Sequence, residues 1–526
     1  MELSMTDNSM ISQARSQVLG DIPRRSALRS PDKTALVHRD TRITFAEFDR
    51  LVDSAAACLW EHGLRPGDRL AIMSHNCWQF PVVIFGAARI GVVAVPINFM
   101  LTAGEVAYLI DDCRPSGFVA EDALCPVVDE AIEKAVVGIP VRFGISVGES
   151  RAADWPDLDA ALANVASPAP DIQVDDDALI RIMYTSGTES RPKGVMHSSR
   201  TLMWQYLSCI VSGGKQDSDI EVHALPFYHC AQLDNFLIPD LYLGATSIIL
   251  DRPDPVAMLG AIEQHGVTNL FCPPTVWISI LRELVSGNRA PMTLRKGYYG
   301  ASALPREVLN ELREALPGLQ LWNFYGQTEM GSLATVLPPA DQDSRGGSAG
   351  RAALNVSTLI LDDAGRPAGV GEVGEIVHRS PQVTLGYFNL PEKTREAFAD
   401  GWFHSGDLGY FDRDGYLWVV DRKKDMVKSG GENVAGREVE EVLYEIPQIS
   451  EAAVYGIPDS RWIEAVAATV VLADNVALTT QDITEHCRSR LAPYKVPKSI
   501  RFVEELPKNP SGKVLKRILR EDHSAE

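Results

Sequence analysis

The stretch 178–194, ALIRIMYTSGTESRPKG, decides the architecture. Its first six residues are apolar apart from Arg181 and read as a buried strand. The next segment, Tyr184-Thr185-Ser186-Gly187-Thr188-Glu189-Ser190-Arg191-Pro192-Lys193-Gly194, crowds hydroxyls and flexible backbone beside a lysine. Such a loop suits a polyphosphate, because hydroxyl and amide donors wrap the oxygens while the ammonium neutralises charge. It is not a Walker A loop, since the Gly-x4-Gly-Lys-Ser/Thr spacing fails. A helix is expected directly after it. Alone, the loop is equally a polar surface turn.

Working outward, helix and strand signals alternate on both sides. Thr44 and Glu47 form a capping-box pair, followed by Phe45, Phe48, Leu51, Val52 and Leu59 at helical spacing. Gly63 can close that helix, and RLAIM (69–73) reads as a strand. The apolar run from Pro81 to Leu101 is long enough to span a membrane, but Gly86, Arg89, Gly91 and Pro96 divide it into a helix and a strand. The alternation continues through SIIL (247–250), a helix around Val256–His265 and TNLFC (268–272), which predicts parallel sheets covered by helices. Near residue 355 the character changes. TLILDDAGRPAG, GEIVHRS and GYLWVVDR read as short antiparallel strands with Asp-Gly or Asp-Ala-Gly turns. The charged run Asp421-Arg422-Lys423-Lys424-Asp425 then precedes about a hundred residues with their own helix and strand signals, enough for a small domain. The expected fold class is α/β: a large N-terminal domain of helix-covered sheets over residues 1–420 with a β-rich subdomain, a hinge at 421–425, and a small mobile α+β domain over 426–526.

Composition excludes some functions. With 50 basic and 70 acidic residues the net charge is −20, which disfavours a nucleic-acid or anionic-membrane surface. Eight cysteines are scattered without a CxxC pair, as reduced core thiols of a cytoplasmic protein would be. The N-terminus shows no secretory signal, and no transmembrane segment is expected.

Four more segments carry polar, glycine-rich chemistry. They are Tyr299-Gly300-Ala301-Ser302-Ala303, Trp322-Asn323-Phe324-Tyr325-Gly326-Gln327-Thr328-Glu329, Gly401-Trp402-Phe403-His404-Ser405-Gly406-Asp407, and Leu506-Pro507-Lys508-Asn509-Pro510-Ser511-Gly512-Lys513. Each singly is a strand end, a capped turn or a solvated tail. In this order and spacing, together with the loop at 184–194, they resemble the adenylate-forming superfamily of acyl-CoA synthetases, luciferases and nonribosomal adenylation domains, and within it the acyl-CoA synthetase or fatty-acid–CoA ligase branch. The family loop is Thr-Ser-Gly-Thr-Thr-Gly-x-Pro-Lys-Gly; Glu189 and Ser190 depart from it here.

The resemblance implies a ligase that activates a carboxylic acid with ATP and Mg²⁺. Thr185, Ser186, Gly187, Thr188 and Lys193 would grip the phosphates. Gly300, Ala301, Ser302, Asn323, Tyr325 and Gly326 would form the adenine side, with Tyr325 stacking on the base. Thr328 would meet the α-phosphate, Glu329 with Thr188 would hold Mg²⁺, Asp407 would accept both ribose hydroxyls, and Arg422 would complete the ribose and phosphate contacts. Lys513 would bridge the acid's oxygen and the α-phosphate, where negative charge concentrates. A carboxylate is already ionised at neutral pH, so no general base is needed. The small domain would then rotate about Lys424 and present Lys428, Gly430 and Gly431 to coenzyme A, the paired glycines letting its pantetheine arm pass close to backbone.

His229, in Leu225-Pro226-Phe227-Tyr228-His229, matches a family histidine lining the acyl pocket, with Cys230, Ala231, Gln232, Trp204 and Trp277 as further walls. Few charges there suit a fatty or aromatic monocarboxylate rather than a dicarboxylate. Ala435-Gly436 and Ile463 differ from common family residues in the acceptor-handling domain, so an amine acceptor giving an amide is the alternative. Only a short tail comes after Lys513, which disfavours a carrier-protein-loading domain, and nothing singles out a luciferase's oxidation. A non-catalytic acyl- or nucleotide-binding relative is suggested only by Glu189 and Ser190. Monomer and homodimer are both compatible with the sequence.

Overall fold

The computed structural model describes Ile11 and residues 14–147, 155–185, 192–287, 293–300, 304, 306–423, 425–429, 432–459, 462–473, 476–508 and 514–524. Two large sheets form the bulk. In the first, seven strands run in the order Gly386–Tyr387, Lys193–Ser198, Leu179–Thr185, Val93–Pro96, Arg69–Met73, Gly117–Glu121, Val141–Ile145. The last five are parallel, and the first two add antiparallel at the edge. The second sheet has nine strands, with a parallel centre from Gln320–Tyr325 through Lys296–Gly300, Asn269–Phe271, Ile220–His223 and Thr246–Ile249 to Thr34–His38. Its edges are antiparallel.

Helices cover these sheets because the sequence supplies their starts and stops. Thr44 and Glu47 form the expected capping box, Thr44 N–H donating to Glu47 Oε2 at 2.8 Å and Glu47 N–H to Thr44 Oγ1 at 3.2 Å. The long apolar run resolves into the helix Gln79–Arg89 and the strand Val93–Pro96. Gly86 lets that helix lie flush on its neighbour: a β-carbon there would stand 2.6 Å from Ala55 Cβ. No helix among the described residues is long and apolar enough to cross a membrane. All eight cysteines are buried and unpaired.

One expectation fails beside the loop at 184–194. The chain enters an antiparallel strand, Lys193–Ser198, before any helix, and the helix begins only at Ser199. The strands on either side of the loop therefore pair as a β-hairpin, in which Thr185 faces Lys193 and Tyr184 faces Gly194. Gly194 makes the pairing possible, since a β-carbon there would meet Ile182 Cγ2 at 2.7 Å. The helix start is set instead by Ser198, whose hydroxyl accepts from Thr201 N–H.

Beyond residue 355 the strands Ser357–Leu361, Gly374–Arg379, Phe398–Ala399, Trp402–Phe411 and Leu417–Arg422 pair antiparallel into a third sheet. A fourth sheet uses only strands between Val427 and Phe502, with its own apolar core around Val439, Leu443, Val454 and Val466.

Candidate active site

The strand pair Leu179–Thr185 and Lys193–Ser198 is anchored from below. Arg181, wholly buried in the strand Leu179–Thr185, reaches Asp234 Oδ1 at 2.5 Å, and Tyr206 O–H donates to the same oxygen at 2.8 Å. A buried guanidinium is tolerated only with such a partner. At the top, Thr185 Oγ1 donates to the Lys193 carbonyl at 3.5 Å, so both roots of the loop meet. Lys193 Nζ lies 5.2 Å from the centre of the Tyr387 ring. Ser186, Gly187, Thr188, Glu189, Ser190 and Arg191 lie outside the described residues.

Opposite the hairpin, a single 3₁₀ turn, Thr328–Met330, comes after the strand Gln320–Tyr325. Gly326 is required there, because a β-carbon would stand 2.1 Å from the Ser332 carbonyl oxygen. The turn is gripped from several segments. His197 Nε2 lies 2.9 Å from the Thr328 carbonyl, Thr384 N–H donates to the Glu329 carbonyl at 2.8 Å, and Gln382 Nε2 donates to the Met330 carbonyl at 2.8 Å. Burial pushes His197 down to about 4. The ring is therefore neutral at pH 7, and a carbonyl partner requires the proton on Nε2. Tyr387 O–H donates to Glu329 Oε1 at 2.8 Å, and Cys230 Sγ lies 3.3 Å from Thr328 Oγ1.

Strand pairing builds a second constellation. Asp407 and Arg422 face each other across two strands of the third sheet, with Arg422 Nε 3.4 Å from Asp407 Oδ1. Tyr325 O–H donates to Asp407 Oδ2 at 2.7 Å, and Asp407 N–H donates to Ser405 Oγ at 3.0 Å. Burial, reinforced by the Asp407 charge, holds the Tyr325 phenol well above its ordinary range. Each Asp407 oxygen keeps a second lone pair for another donor.

The remaining sequence candidates divide. Gly300 packs against the neighbouring strand, where a β-carbon would come 2.5 Å from the Phe324 carbonyl oxygen. Asn323 is buried and donates its amide to the Ser348 carbonyl at 3.0 Å. Tyr299, the aromatic residue next to Gly300 in that segment, points into the core and donates to Gln342 Oε1 at 2.9 Å. Strand alternation sends it and Gly300 to opposite faces. Trp277 is likewise a core residue, fully buried with its indole N–H on the Tyr298 carbonyl, and Trp204 is 39% exposed. His229 caps the short helix Cys230–Gln232, its Nδ1 accepting from Ala231 N–H at 3.1 Å. Ala301, Ser302, Lys424, Gly430, Gly431 and Lys513 lie outside the described residues.

Around these, the fourth sheet meets the rest of the chain through polar contacts. Arg437 donates to the Val419 and Gly347 carbonyls, Gly436 N–H to Asp421 Oδ2, and Arg520 pairs with Asp425 at 3.0 Å. Lys428 is exposed, and its N–H donates to Glu464 Oε2 at 2.7 Å.

Sequence reasoning misses Tyr387, His197, Gln382 and Asn76. The last fixes the loop before His229, accepting from Phe227 N–H at 2.9 Å and donating to the Leu225 carbonyl at 2.8 Å. None belongs to a motif. A buried trio, Glu221, His223 and Asp240, has the geometry of a metal site, but the Lys215 ammonium already sits 2.6 Å from Glu221 and 2.7 Å from Asp240. The lysine supplies the cation.

Residues 23–388 match the AMP-binding enzyme family, and residues 438–513 match the AMP-binding enzyme C-terminal domain. The chain is 36% identical over 506 residues to a feruloyl-CoA synthase of an Amycolatopsis species, covering 96% of this chain and 99% of the relative. It is 34% identical to a long-chain-fatty-acid–CoA ligase of Mycobacterium tuberculosis, covering 96% and 99%. Among solved structures, the o-succinylbenzoate CoA synthetase of Bacillus subtilis in complex with its acyl-adenylate intermediate superposes with a TM-score of 0.84 at 30% identity, covering 96% of this chain and 98% of that one.

Proposed function

The chain belongs to the AMP-binding enzyme family, and from that premise we propose that it is an AMP-forming acid–thiol ligase for a monocarboxylic acid with a fatty or aromatic body. The acid's carboxylate oxygen attacks the α-phosphorus of ATP, the bond to pyrophosphate breaks, and an acyl-adenylate forms. The thiol sulfur of coenzyme A then attacks the acyl carbon, and AMP leaves with the bonding electron pair. The first step needs charge neutralisation and placement rather than proton transfer.

One spatial fact supports the reading more than any other. Residues far apart in sequence are linked by direct contacts: Lys193 to Tyr387 to Glu329 on one side, and Tyr325 to Asp407 to Arg422 on the other, joined through the chain from 325 to 329. In this scheme Lys193 and Thr185, with Ser186, Gly187 and Thr188, hold the β- and γ-phosphates. Gly300, Ala301, Ser302, Asn323, Tyr325 and Gly326 frame the base, Thr328 takes the α-phosphate, and Asp407 and Arg422 hold the ribose. Lys513 stabilises the charge that develops between acid and phosphate, and His229 lines the acyl pocket. Glu329 fits a magnesium ion: among the described residues one carboxylate oxygen holds Tyr387 and the other takes no hydrogen bond. A hard cation prefers such an oxygen, and when bound it offsets phosphate charge. We place the division between the large and small domains at 421–425, with Lys424 as the pivot that brings Lys428, Gly430 and Gly431 to coenzyme A. The protein is read as cytoplasmic and as a monomer or homodimer.

The test is to incubate the protein with ATP, Mg²⁺ and a panel of fatty and aromatic acids, recording pyrophosphate and product masses with coenzyme A, with amines and with neither. Acid-dependent pyrophosphate with an acyl-CoA product is expected. Amide or free adenylate without acyl-CoA would replace the thiol by an amine as acceptor.

A further inference from the structure

Tyr387 occupies a two-residue strand, Gly386–Tyr387, at the edge of the seven-stranded sheet, and belongs to none of the sequence motifs. It is 8% exposed. Its backbone pairs with Val195, two residues after Lys193, and its N–H donates to Thr394 Oγ1 at 2.9 Å, so its position is fixed by the hairpin that carries the phosphate lysine. From there the side chain makes two contacts of different kinds. The ring lies beneath the Lys193 ammonium at 5.2 Å, and the hydroxyl donates to Glu329 Oε1 at 2.8 Å. Lys193 and Glu329 are opposite in charge and both touch this ring, yet among the described residues they make no ion pair with each other. In a partly desolvated cleft a lysine and a carboxylate free to move would pair directly and cancel. Tyr387 gives each a neutral partner: a π-face for the cation and a hydroxyl for the anion.

We infer that Tyr387 is a positioning residue for adenylation, holding Lys193 and Glu329 apart so that one charge remains for the triphosphate and the other for its metal. The inference rests on the ATP-dependent function proposed for this site. Tyr387 touches Lys193 through its ring and Glu329 through its hydroxyl, so its effect is confined to ligands that carry β- and γ-phosphates, the ring's share with or without a divalent cation and the hydroxyl's share only with one.

Nucleotide binding to the full chain, measured by titration calorimetry with ATP plus Mg²⁺, ATP plus a chelator, and AMP, tests this without relying on turnover. Tyr387→Phe keeps the ring and removes the hydroxyl; it is expected to weaken Mg²⁺–ATP binding about tenfold, the loss of one hydrogen bond to a charged group, and to leave AMP binding unchanged. In a Glu329→Gln background the same change is expected to have no further effect. Tyr387→Leu, which also removes the ring, is expected to weaken ATP binding about threefold even with the chelator present. Three results would each overturn the assignment: Tyr387→Phe binding Mg²⁺–ATP like the parent, losing AMP affinity by the same factor, or costing as much in the Glu329→Gln background as in the parent. Should Tyr387→Leu fail to fold, the phenylalanine variant and its cycle with position 329 decide alone. A parent protein that binds Mg²⁺–ATP but releases no pyrophosphate with any acid would refute the ligase reading and leave Tyr387 to be judged by the binding data. A parent that binds no nucleotide would sink both.

Discussion

The turn Thr328–Met330, between Gly326 and Gly331, and the hairpin formed by Val427–Ser429 and Glu432–Val434, with Gly430 and Gly431 between its strands, are both short glycine-containing segments, yet their polar side chains are placed differently. The turn is gripped by His197, Thr384, Gln382, Cys230 and Tyr387, all of them buried. The hairpin shows exposed Lys428, Glu432 and Asn433, and the fourth sheet meets the rest of the chain through polar contacts at Asp421, Asp425 and Arg437. A site that stabilises charge at phosphorus must be set before the substrate arrives, because fixed dipoles need no reorganisation. A surface that must arrive afterwards has to be held loosely enough to move. The contrast matches the two half-reactions proposed.

The largest test of that contrast exchanges the two steps. Lys513→Ala should slow adenylate formation by roughly 10²–10³-fold while transfer from preformed adenylate to coenzyme A stays near the parent rate. Gly431→Leu should do the reverse. Single-turnover assays started from acid or from adenylate separate the two, and equal loss of both steps in either variant would break the division.

A second test asks how rigid the gripped region is. Burial pushes His197 and His378 down to about 4, whereas in an unfolded chain each takes a proton near its ordinary value of about 6.5. Neutral burial therefore stabilises the fold fully above that value, and the benefit drains away as pH falls towards 4. The expected loss is about 3 kcal/mol for each histidine. Thermal melts from pH 7.5 to 4.5 should show it, and the gap between parent and His197→Gln should narrow on acidification. A constant gap would mean His197 does not titrate with unfolding.

Asp407→Ala should weaken both AMP and ATP binding about tenfold, the loss of hydrogen bonds to a charged acceptor. Unchanged nucleotide affinity by calorimetry would remove Asp407 from the ribose site. The smallest expected effect is at the polar contacts of the fourth sheet. Arg520 and Asp425 are partly exposed, and such a pair contributes about 1 kcal/mol or less. Arg520→Ala should hardly shift the melting temperature, but it should change the ratio of the two half-reaction rates. A ratio identical to the parent's would show that this pair does not bias the small domain.

How much of the molecule is legible in its sequence depends on range. Local signals carry well: the capping box at Thr44 and Glu47, the division of the apolar run near Gly91, and the antiparallel strands after residue 355 are all present in the structure. Motif residues Tyr325, Asp407 and Arg422 come together as a unit. The hairpin at the phosphate loop escapes such reading because KGVMHS carries no clear alternation and its pairing depends on Gly194 accommodating Ile182. Tyr299 and Trp277 belong at the site by chemical type alone, whereas burial is decided by which face of a strand or helix they occupy. Tyr387 and His197 act on residues 58 and 131 positions away, and no local pattern encodes such a contact.

The buried pair of Arg181 and Asp234 has a consequence for how this chain can drift. Removing either Arg181 or Asp234 alone would strand a charge in the core, a loss of about 3–5 kcal/mol, while replacing both by apolar residues of similar volume is often close to neutral. Positions 181 and 234 are therefore heritable only as a couple, and the single-step intermediates between one couple and another are poor proteins. A library that randomises the strand Leu179–Thr185 while leaving residue 234 untouched will sample many destabilised chains and will mistake a packing constraint for a catalytic one.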